Sequence, residues 1–137
     1  MQMCRRRFRR SRSWAKGVSV SSAALVIDGS TTSPTAIDAD GVSIINFAQV
    51  GHNVTSFTPT GSITVIGSAI GSSSSGFGVE VNGFLSSLGS APLTVTGTSA
   101  DGAGISIGVS PGFVSTDVGN MMLTGTSSAA GAVGVQI

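Results

Sequence analysis

Charged residues are scarce in this chain. They make up 9% of its 137 residues, against roughly 25% in an average soluble domain. After residue 16, Lys, Arg, Glu and Gln, whose long side chains favour helices, are almost absent, whereas Val, Ile, Thr, Ser and Gly are frequent. Val, Ile and Thr suit a pleated surface and Gly suits tight turns. The composition therefore predicts an all-β domain with many turns.

Cysteine and histidine occur once each. Cys4 cannot form an internal disulfide, and a cysteine without partner ligands does not indicate a metal site. His52 is the only imidazole that could serve Ser-His-Asp catalysis, and its neighbours Gly51 and Asn53 are typical of a surface turn. No apolar run approaches the 18 or more residues of a membrane helix. We therefore expect no catalytic residue, small-molecule substrate, cofactor, metal site or membrane span.

The few charges are divided between two segments. All seven basic residues lie in residues 1–16, and all six acidic residues come later, so the segments carry formal charges of +7 and −6. Six arginines within eight positions repel one another and bury little surface, which predicts a disordered basic tail over 1–16. Three interpretations fit this tail: an unstructured or mis-assigned start of the reading frame, an export signal, or a nucleic-acid-binding segment.

Neither functional interpretation of the tail is well supported. Arg5-Arg6-Arg7-Phe8 resembles part of a twin-arginine export motif, but the apolar stretch that follows is interrupted by serines and stops at Asp28. Nucleic-acid binding would use the arginines, yet the acidic body offers them no supporting surface. Nucleic acid is therefore not expected as a partner.

The body of the chain, 17–137, is built from repeats. A first sequence motif occurs as ITVIG, LTVTG and MMLTG, beginning at residues 63, 93 and 121. A second motif follows each Ser/Gly-rich segment. It occurs as GVSI, GVEV, GISI and GVQI, beginning at residues 41, 78, 104 and 134. These matches predict repeats at about 24–60, 61–91, 92–120 and 121–137, the last of them truncated.

Repeats of this length cannot each bury an apolar face alone, so we expect copies to stack and pair strand on matching strand. Like residues then form rows. The predicted buried rows are Ile63, Leu93 and Met121; Val65, Val95 and Leu123; Val42, Val79, Ile105 and Val135; and Ile44, Val81, Ile107 and Ile137. We also expect an aromatic row of Phe47, Phe84 and Phe113, and a solvent-facing set of Thr64, Thr94, Thr96 and Thr124. This pattern predicts a right-handed parallel β-helix of about three and a half coils, with a β-sandwich as the alternative.

The acidic residues do not form an obvious site. Asp28, Asp40 and Asp101 each precede glycine, where aspartate usually shapes a turn. Asp38 and Asp40 resemble a fragment of a calcium loop, but the other ligands are missing. Glu80 is expected to face solvent, and its counterparts Ser43, Ser106 and Gln136 are not acidic, so no acidic row is predicted.

The phrases GSITVIGSAIGSSSSGFGVEV and PLTVTGTSADGAGISIGV resemble the degenerate repeats of very large bacterial surface exoproteins. These are the filamentous-haemagglutinin-like and autotransporter-like adhesins with β-helical stalks, and the resemblance covers about residues 24–137. It implies export, a parallel β-helix shaft, and a role in adhesion or surface structure. The chain is far shorter than such proteins and shows no clear signal peptide or anchoring domain, so we expect a fragment of a longer gene.

The predicted function is that of a structural or adhesive repeat segment of an exported bacterial surface protein, without catalysis. The expected location is extracellular or at the cell surface, and the expected partners are a surface glycan, a protein or further copies of the same repeat. Two alternatives stay open. A carbohydrate-active β-helix enzyme would need two or three acids converging on one face. A self-associating β-module would use the unpaired strand edges that a truncated fourth repeat leaves.

Overall fold

A computed structural model describes residues 18–19, 24–32, 39–45, 48–51, 61–70, 76–108 and 112–137. Within these ranges all regular structure is β: twelve strands and no helix. The all-β prediction is confirmed. The basic tail, 1–16, lies outside the described residues.

The twelve strands form three four-stranded sheets in which every pairing is parallel. Sheet 1 contains β1 (Val18–Ser19), β4 (Gln49–Gly51), β7 (Phe84–Ser87) and β10 (Phe113–Thr116). Sheet 2 contains β2 (Leu25–Thr31), β5 (Ile63–Ala69), β8 (Leu93–Ser99) and β11 (Met121–Ser127). Sheet 3 contains β3 (Val42–Ile44), β6 (Val79–Val81), β9 (Ile105–Ile107) and β12 (Val135–Gln136).

From β2 onward the chain visits sheet 2, sheet 3 and sheet 1 in turn. The first repeat is therefore β2 to β4, the second β5 to β7, the third β8 to β10, and the fourth contributes β11 and β12. Each strand pairs with its counterpart in the neighbouring repeat. The antiparallel pairing typical of a β-sandwich does not occur among the described strands.

The register confirms most of the predicted rows. In sheet 2, Leu93 pairs with Ile63 and Met121, and Val95 pairs with Val65 and Leu123. The rows of sheet 3 are confirmed from Val42 to Val135 and from Ile44 to Ile107. Ile137 does not continue the second of these rows, because β12 ends at Gln136 and Ile137 is 84% exposed.

Strict alternation separates an inner from an outer face on each strand. On β8, Leu93, Val95, Gly97 and Ser99 are buried, and the three threonines between them are partly exposed. The predicted outward set of threonines is likewise partly or fully exposed. The buried apolar side chains of all three sheets form one cluster: Val42, Ile44, Val50, Ile63, Val65, Val79, Val81, Leu85, Leu93, Val95, Ile105 and Ile107.

The predicted aromatic row is wrong in the first repeat. The register places Gln49, and not Phe47, beside Phe84, while Phe84 pairs with Phe113 as expected. Phe47 itself lies outside the described residues. The reason is the length of a link: four residues separate β3 from β4, and two separate β6 from β7. The offset of 37 that aligns sheet 3 therefore shrinks to 35 in sheet 1.

The backbone in the middle of each sheet 2 strand packs directly on the backbone that leads into the next strand of sheet 3. Gly67 and Gly97 are paired in the middle of β5 and β8, within a glycine row that also contains Gly29 and Gly125. A Cβ atom on Gly97 would overlap the carbonyl oxygen of Gly104, which stands just before β9. Gly29, Gly67 and Gly125 meet Gly41, Gly78 and Gly134 in the same way. This close approach explains why the glycines recur at matching positions.

A buried serine ties the turns of neighbouring repeats together. The Ser99 hydroxyl, 1% exposed, donates to the Gly76 carbonyl at 2.5 Å and accepts the Gly102 N–H at 2.8 Å and the Asp101 N–H at 3.2 Å. Ser127 repeats the arrangement one repeat later by donating to the Gly102 carbonyl at 2.7 Å. Each hydroxyl thus satisfies backbone groups that would otherwise be buried without partners.

Replacing Ser99 by Ala is expected to lower the free energy of unfolding by about 2–3 kcal/mol, because the Gly102 N–H and the Gly76 carbonyl lose their partner in a buried turn. Urea titration followed by circular dichroism measures this change. Thr98→Ala, the outward neighbour on the same strand, is the control and is expected to cost about 0.5 kcal/mol. Equal losses in the two variants would contradict the role given to the Ser99 hydroxyl.

Candidate functional site

The acidic side chains of the described residues occupy different environments. Asp28, Asp101 and Asp117 are exposed, whereas Asp40 and Glu80 are half-buried. As predicted, Glu80 pairs in the register with Ser43 on one side and Ser106 on the other. The structure nevertheless brings two acids to one corner. The Phe77 N–H, three residues before Glu80, donates to Asp40, and the Ser43 hydroxyl, three residues after Asp40, donates to Glu80.

Backbone and side-chain donors position this carboxyl pair. The Phe77 N–H donates to Asp40 Oδ1 at 2.9 Å. The Ser43 hydroxyl donates to Glu80 Oε2 at 2.7 Å, and the Asn82 side-chain amide donates to Glu80 Oε1 at 2.5 Å. The backbone supports the same corner, since the Asn82 N–H donates to the Ile44 carbonyl at 2.7 Å. Both carboxyl oxygens of Glu80 therefore accept hydrogen bonds. A proton shared by the two acids accordingly resides on Asp40.

Burial is the main reason that the pKa of Asp40 rises from 3.8 to about 6. The Phe77 N–H opposes this shift because it stabilises the carboxylate form, and the negative charge of Glu80 adds to the shift. The Ser43 hydroxyl also lowers the pKa of Asp40. Below about pH 6 Asp40 is therefore protonated and can donate to Glu80.

The distance between the two carboxyl groups decides which chemistry they suit. Glycosidase carboxyl pairs stand roughly 5–5.5 Å or 6.5–9.5 Å apart, so that a sugar carbon or a water fits between them. Glu80 is close enough to Asp40 to raise the pKa of Asp40 both through its charge and through a side-chain hydrogen bond, which a glycosidase separation would not allow. The arrangement fits the sharing of one proton between two carboxyl groups.

Sequence reasoning missed this pair because the two acids occupy different rows of the repeat. Asp40 precedes β3 and lies next to Phe77, whereas Glu80 is the middle residue of β6. The contact therefore runs diagonally between neighbouring repeats. A signal was present in the 37-residue offset, which aligns Asp40 with Phe77 and sets Glu80 three positions further along the next repeat.

A second feature is a shallow depression on the outer face of sheet 1, which we call the aromatic groove. Its volume is about 170 Å³, and its lining includes Gln49, Phe84, Ser86, Phe113, Ser115 and Asp117. The ring centroids of Phe84 and Phe113 are 6.3 Å apart and the rings are inclined by 55°. Phe113 is 51% exposed. Phe84 is partly buried, so Phe113 presents most of the aromatic surface. An exposed ring beside hydroxyl and amide groups offers both apolar contact and hydrogen bonds to a partner.

Several residues considered from the sequence are outside the described ranges: Cys4, Asp38 and His52. Among the residues that are described, no group of three or more His, Cys, Asp or Glu side chains is arranged to hold a metal ion. The same ranges contain no helix with the length and apolar character needed to cross a membrane.

No family model matches the chain, and no curated protein or solved structure shows significant similarity to it.

Proposed function

We propose that the chain is a segment of a right-handed parallel β-helix that serves as a structural and adhesive part of an exported bacterial surface protein. The observation that carries this proposal is the register, in which successive repeats contribute one strand to each of three parallel sheets. Such stacking extends a rod by adding copies, because each copy contacts only its neighbours. The proposed role is non-catalytic and the proposed location is extracellular or at the cell surface.

Link lengths support the role of a shaft that carries loops. Eleven residues separate β4 from β5, five separate β7 from β8, and four separate β10 from β11. The register of sheet 2 is nevertheless continuous through all four strands. Lengthening a link costs little free energy when the paired strands stay in place. A surface protein can therefore vary these loops while its shaft is preserved.

The aromatic groove is the proposed point of contact with a partner, which is a surface glycan or a protein. Phe84 and Phe113 supply apolar area, and Gln49, Ser115 and Asp117 supply polar groups beside it. Most outward positions on the other two sheets are small or polar, as on β8 and β9. Contact would thus be concentrated on the outer face of sheet 1.

The binding experiment uses biolayer interferometry of the full chain against immobilised cellulose, chitin, heparin and collagen. We expect Phe113→Ser to lower binding at least fivefold, because the exposed ring of the pair is removed. Met122→Ser is the matched control, since Met122 is 56% exposed on sheet 2, away from the groove. Binding that Phe113→Ser leaves unchanged would exclude the groove. No binding to any of the four surfaces would remove the adhesive half of the proposal and leave the structural half.

A self-associating module is the second candidate. Within the described residues β11 pairs on one side only, with β8, and its side chains Met121 and Met122 are 43% and 56% exposed. An exposed apolar strand edge invites pairing with another chain. Light scattering across a hundredfold dilution series tests this candidate, because a constant monomeric mass at all concentrations excludes it.

A further inference from the structure

The Asp40–Glu80 pair connects two repeats. Asp40 and Ser43 belong to the first repeat, whereas Phe77, Glu80 and Asn82 belong to the second. The hydrogen bonds from Phe77 to Asp40 and from Ser43 to Glu80 both cross between these repeats, each spanning 37 residues of sequence. They flank the pairing of β3 with β6, which extends over only three residues from Val42 to Ile44. Side-chain contacts are therefore a large share of what holds the repeats together at this corner.

We propose that the Asp40 and Glu80 carboxyl groups form a proton-operated clamp, in which one shared proton holds β3 against β6 and its loss loosens the first repeat. With the proton present, Asp40 donates to Glu80 and the pair carries a single negative charge. When the proton leaves, two neighbouring carboxylates repel each other. Among the described residues, the Phe77 N–H, the Ser43 hydroxyl and the Asn82 amide then remain as donors to the pair.

No positive side chain in the described part of the chain offsets this repulsion, so protonation of the pair is what relieves it. All seven lysine and arginine residues lie in residues 1–16, so the described part of the chain places no cationic side chain beside the pair. Of the strands packed on β3, β6 carries Glu80 itself, β5 carries no ionisable group, and β2 carries Asp28. Asp28 is exposed on the outer face of β2. Asp38, two positions before Asp40, is outside the described residues.

The direction of the pH effect follows from the proton affinity of Asp40 in the two states. Folding raises the pKa of Asp40 from 3.8 to about 6, so the folded chain binds the proton more tightly than the unfolded chain. The stabilisation from this proton is complete below about pH 4 and is lost as the pH rises through about 6. The clamp is therefore closed in mildly acidic medium and open at neutral pH and above.

Thermal unfolding of the full chain at pH 5.0 and pH 7.5 tests the clamp. For the unmodified chain we expect a melting temperature about 3–5 °C lower at pH 7.5, a modest shift because the half-buried pair is partly screened by water. Asp40→Asn keeps the acceptor for the Phe77 N–H and supplies a permanent N–H donor towards Glu80. This variant is expected to melt at the higher temperature at both pH values. Asp101→Asn, which changes an exposed turn aspartate, is the control and should follow the unmodified chain.

A local measurement separates the clamp from a general effect of charge. Amide hydrogen exchange, corrected for the intrinsic pH dependence of exchange, should show that protection of Val42 and Ile44, whose N–H groups point towards β6, falls between pH 5.0 and 7.5 while that of Ile107 is constant. The proposal fails if Asp40→Asn shows the same pH dependence as the unmodified chain in both measurements. It is also overturned if 5 mM Ca²⁺ at pH 7.5 raises the melting temperature of the unmodified chain but not of Asp40→Asn, because the pair would then be a cation site.

Discussion

Gly97→Ala is expected to lower the free energy of unfolding by more than about 3 kcal/mol, and in practice to prevent folding at 37 °C. The added methyl group would overlap the carbonyl oxygen of Gly104, which is backbone and cannot rotate away as a side chain can. Relief requires β8 and β9 to separate, and this disturbs every row in which they take part. Forced overpacking of a core typically costs 1–3 kcal/mol when side chains can adjust, so a clash with backbone in a repeated row should cost more.

The control is Gly131→Ala. Gly131 has a φ of +79° and a Cβ atom there would meet nothing within 4 Å. The substitution therefore carries only the strain of a left-handed backbone conformation, about 1 kcal/mol. Urea unfolding of both variants, followed by far-ultraviolet circular dichroism, makes the comparison. Similar midpoints for the two variants would show that sheets 2 and 3 approach less closely than the structure places them.

Leu93→Ala is expected to cost about 3 kcal/mol of unfolding free energy. Leu93 is fully buried between its row partners Ile63 and Met121. Truncation removes the transfer free energy of its side chain and leaves a cavity that regularly paired strands cannot collapse to fill. Differential scanning calorimetry and urea titration both report the loss.

Met121→Ala is the matched control because Met121 occupies the same row one repeat later and is 43% exposed. Its truncation should cost less than about 1 kcal/mol, since much of the side chain is already in contact with water. The ratio of the two losses measures how far burial within one row depends on having a repeat on each side. Equal losses for Leu93→Ala and Met121→Ala would contradict the burial assigned to this row.

Much of the architecture could be predicted because a repeat is visible as periodicity. The alternation of Ile63 and Val65 with Thr64 indicates a strand with two faces, and the 30-residue spacing to Leu93 gives its partner. These local and near-identical signals were enough to predict which residues pair in sheets 2 and 3, apart from Ile137, although Met121 at the end of its row is 43% exposed. The prediction failed in sheet 1, where the link before β4 is longer and Gln49 takes the place expected for Phe47.

Ile66 shows a different limit. As an apolar residue between Val65 and Gly67 it interrupts the alternation of apolar and polar residues. The sequence alone therefore does not indicate whether its side chain points into the core or towards solvent. The structure places it outward, 38% exposed, because the row to which it belongs continues through Thr96 and Thr124. The orientation of the Ile66 side chain is therefore set by the neighbouring strands of its row and not by the sequence of β5 alone.

The sequence by itself determined that the chain is β-rich, that it repeats, and which residues share most of its rows, because strand alternation and spacing are local properties of the chain. Only the tertiary structure decided that the glycines of sheet 2 pack directly against the glycines before the strands of sheet 3, that the Ser99 hydroxyl reaches the turn of the preceding repeat, and that Asp40 and Glu80 share one corner. These contacts run diagonally between repeats or across the interior. They depend on the path that the chain takes from one sheet to the next, and the spacing of the repeats does not indicate that path.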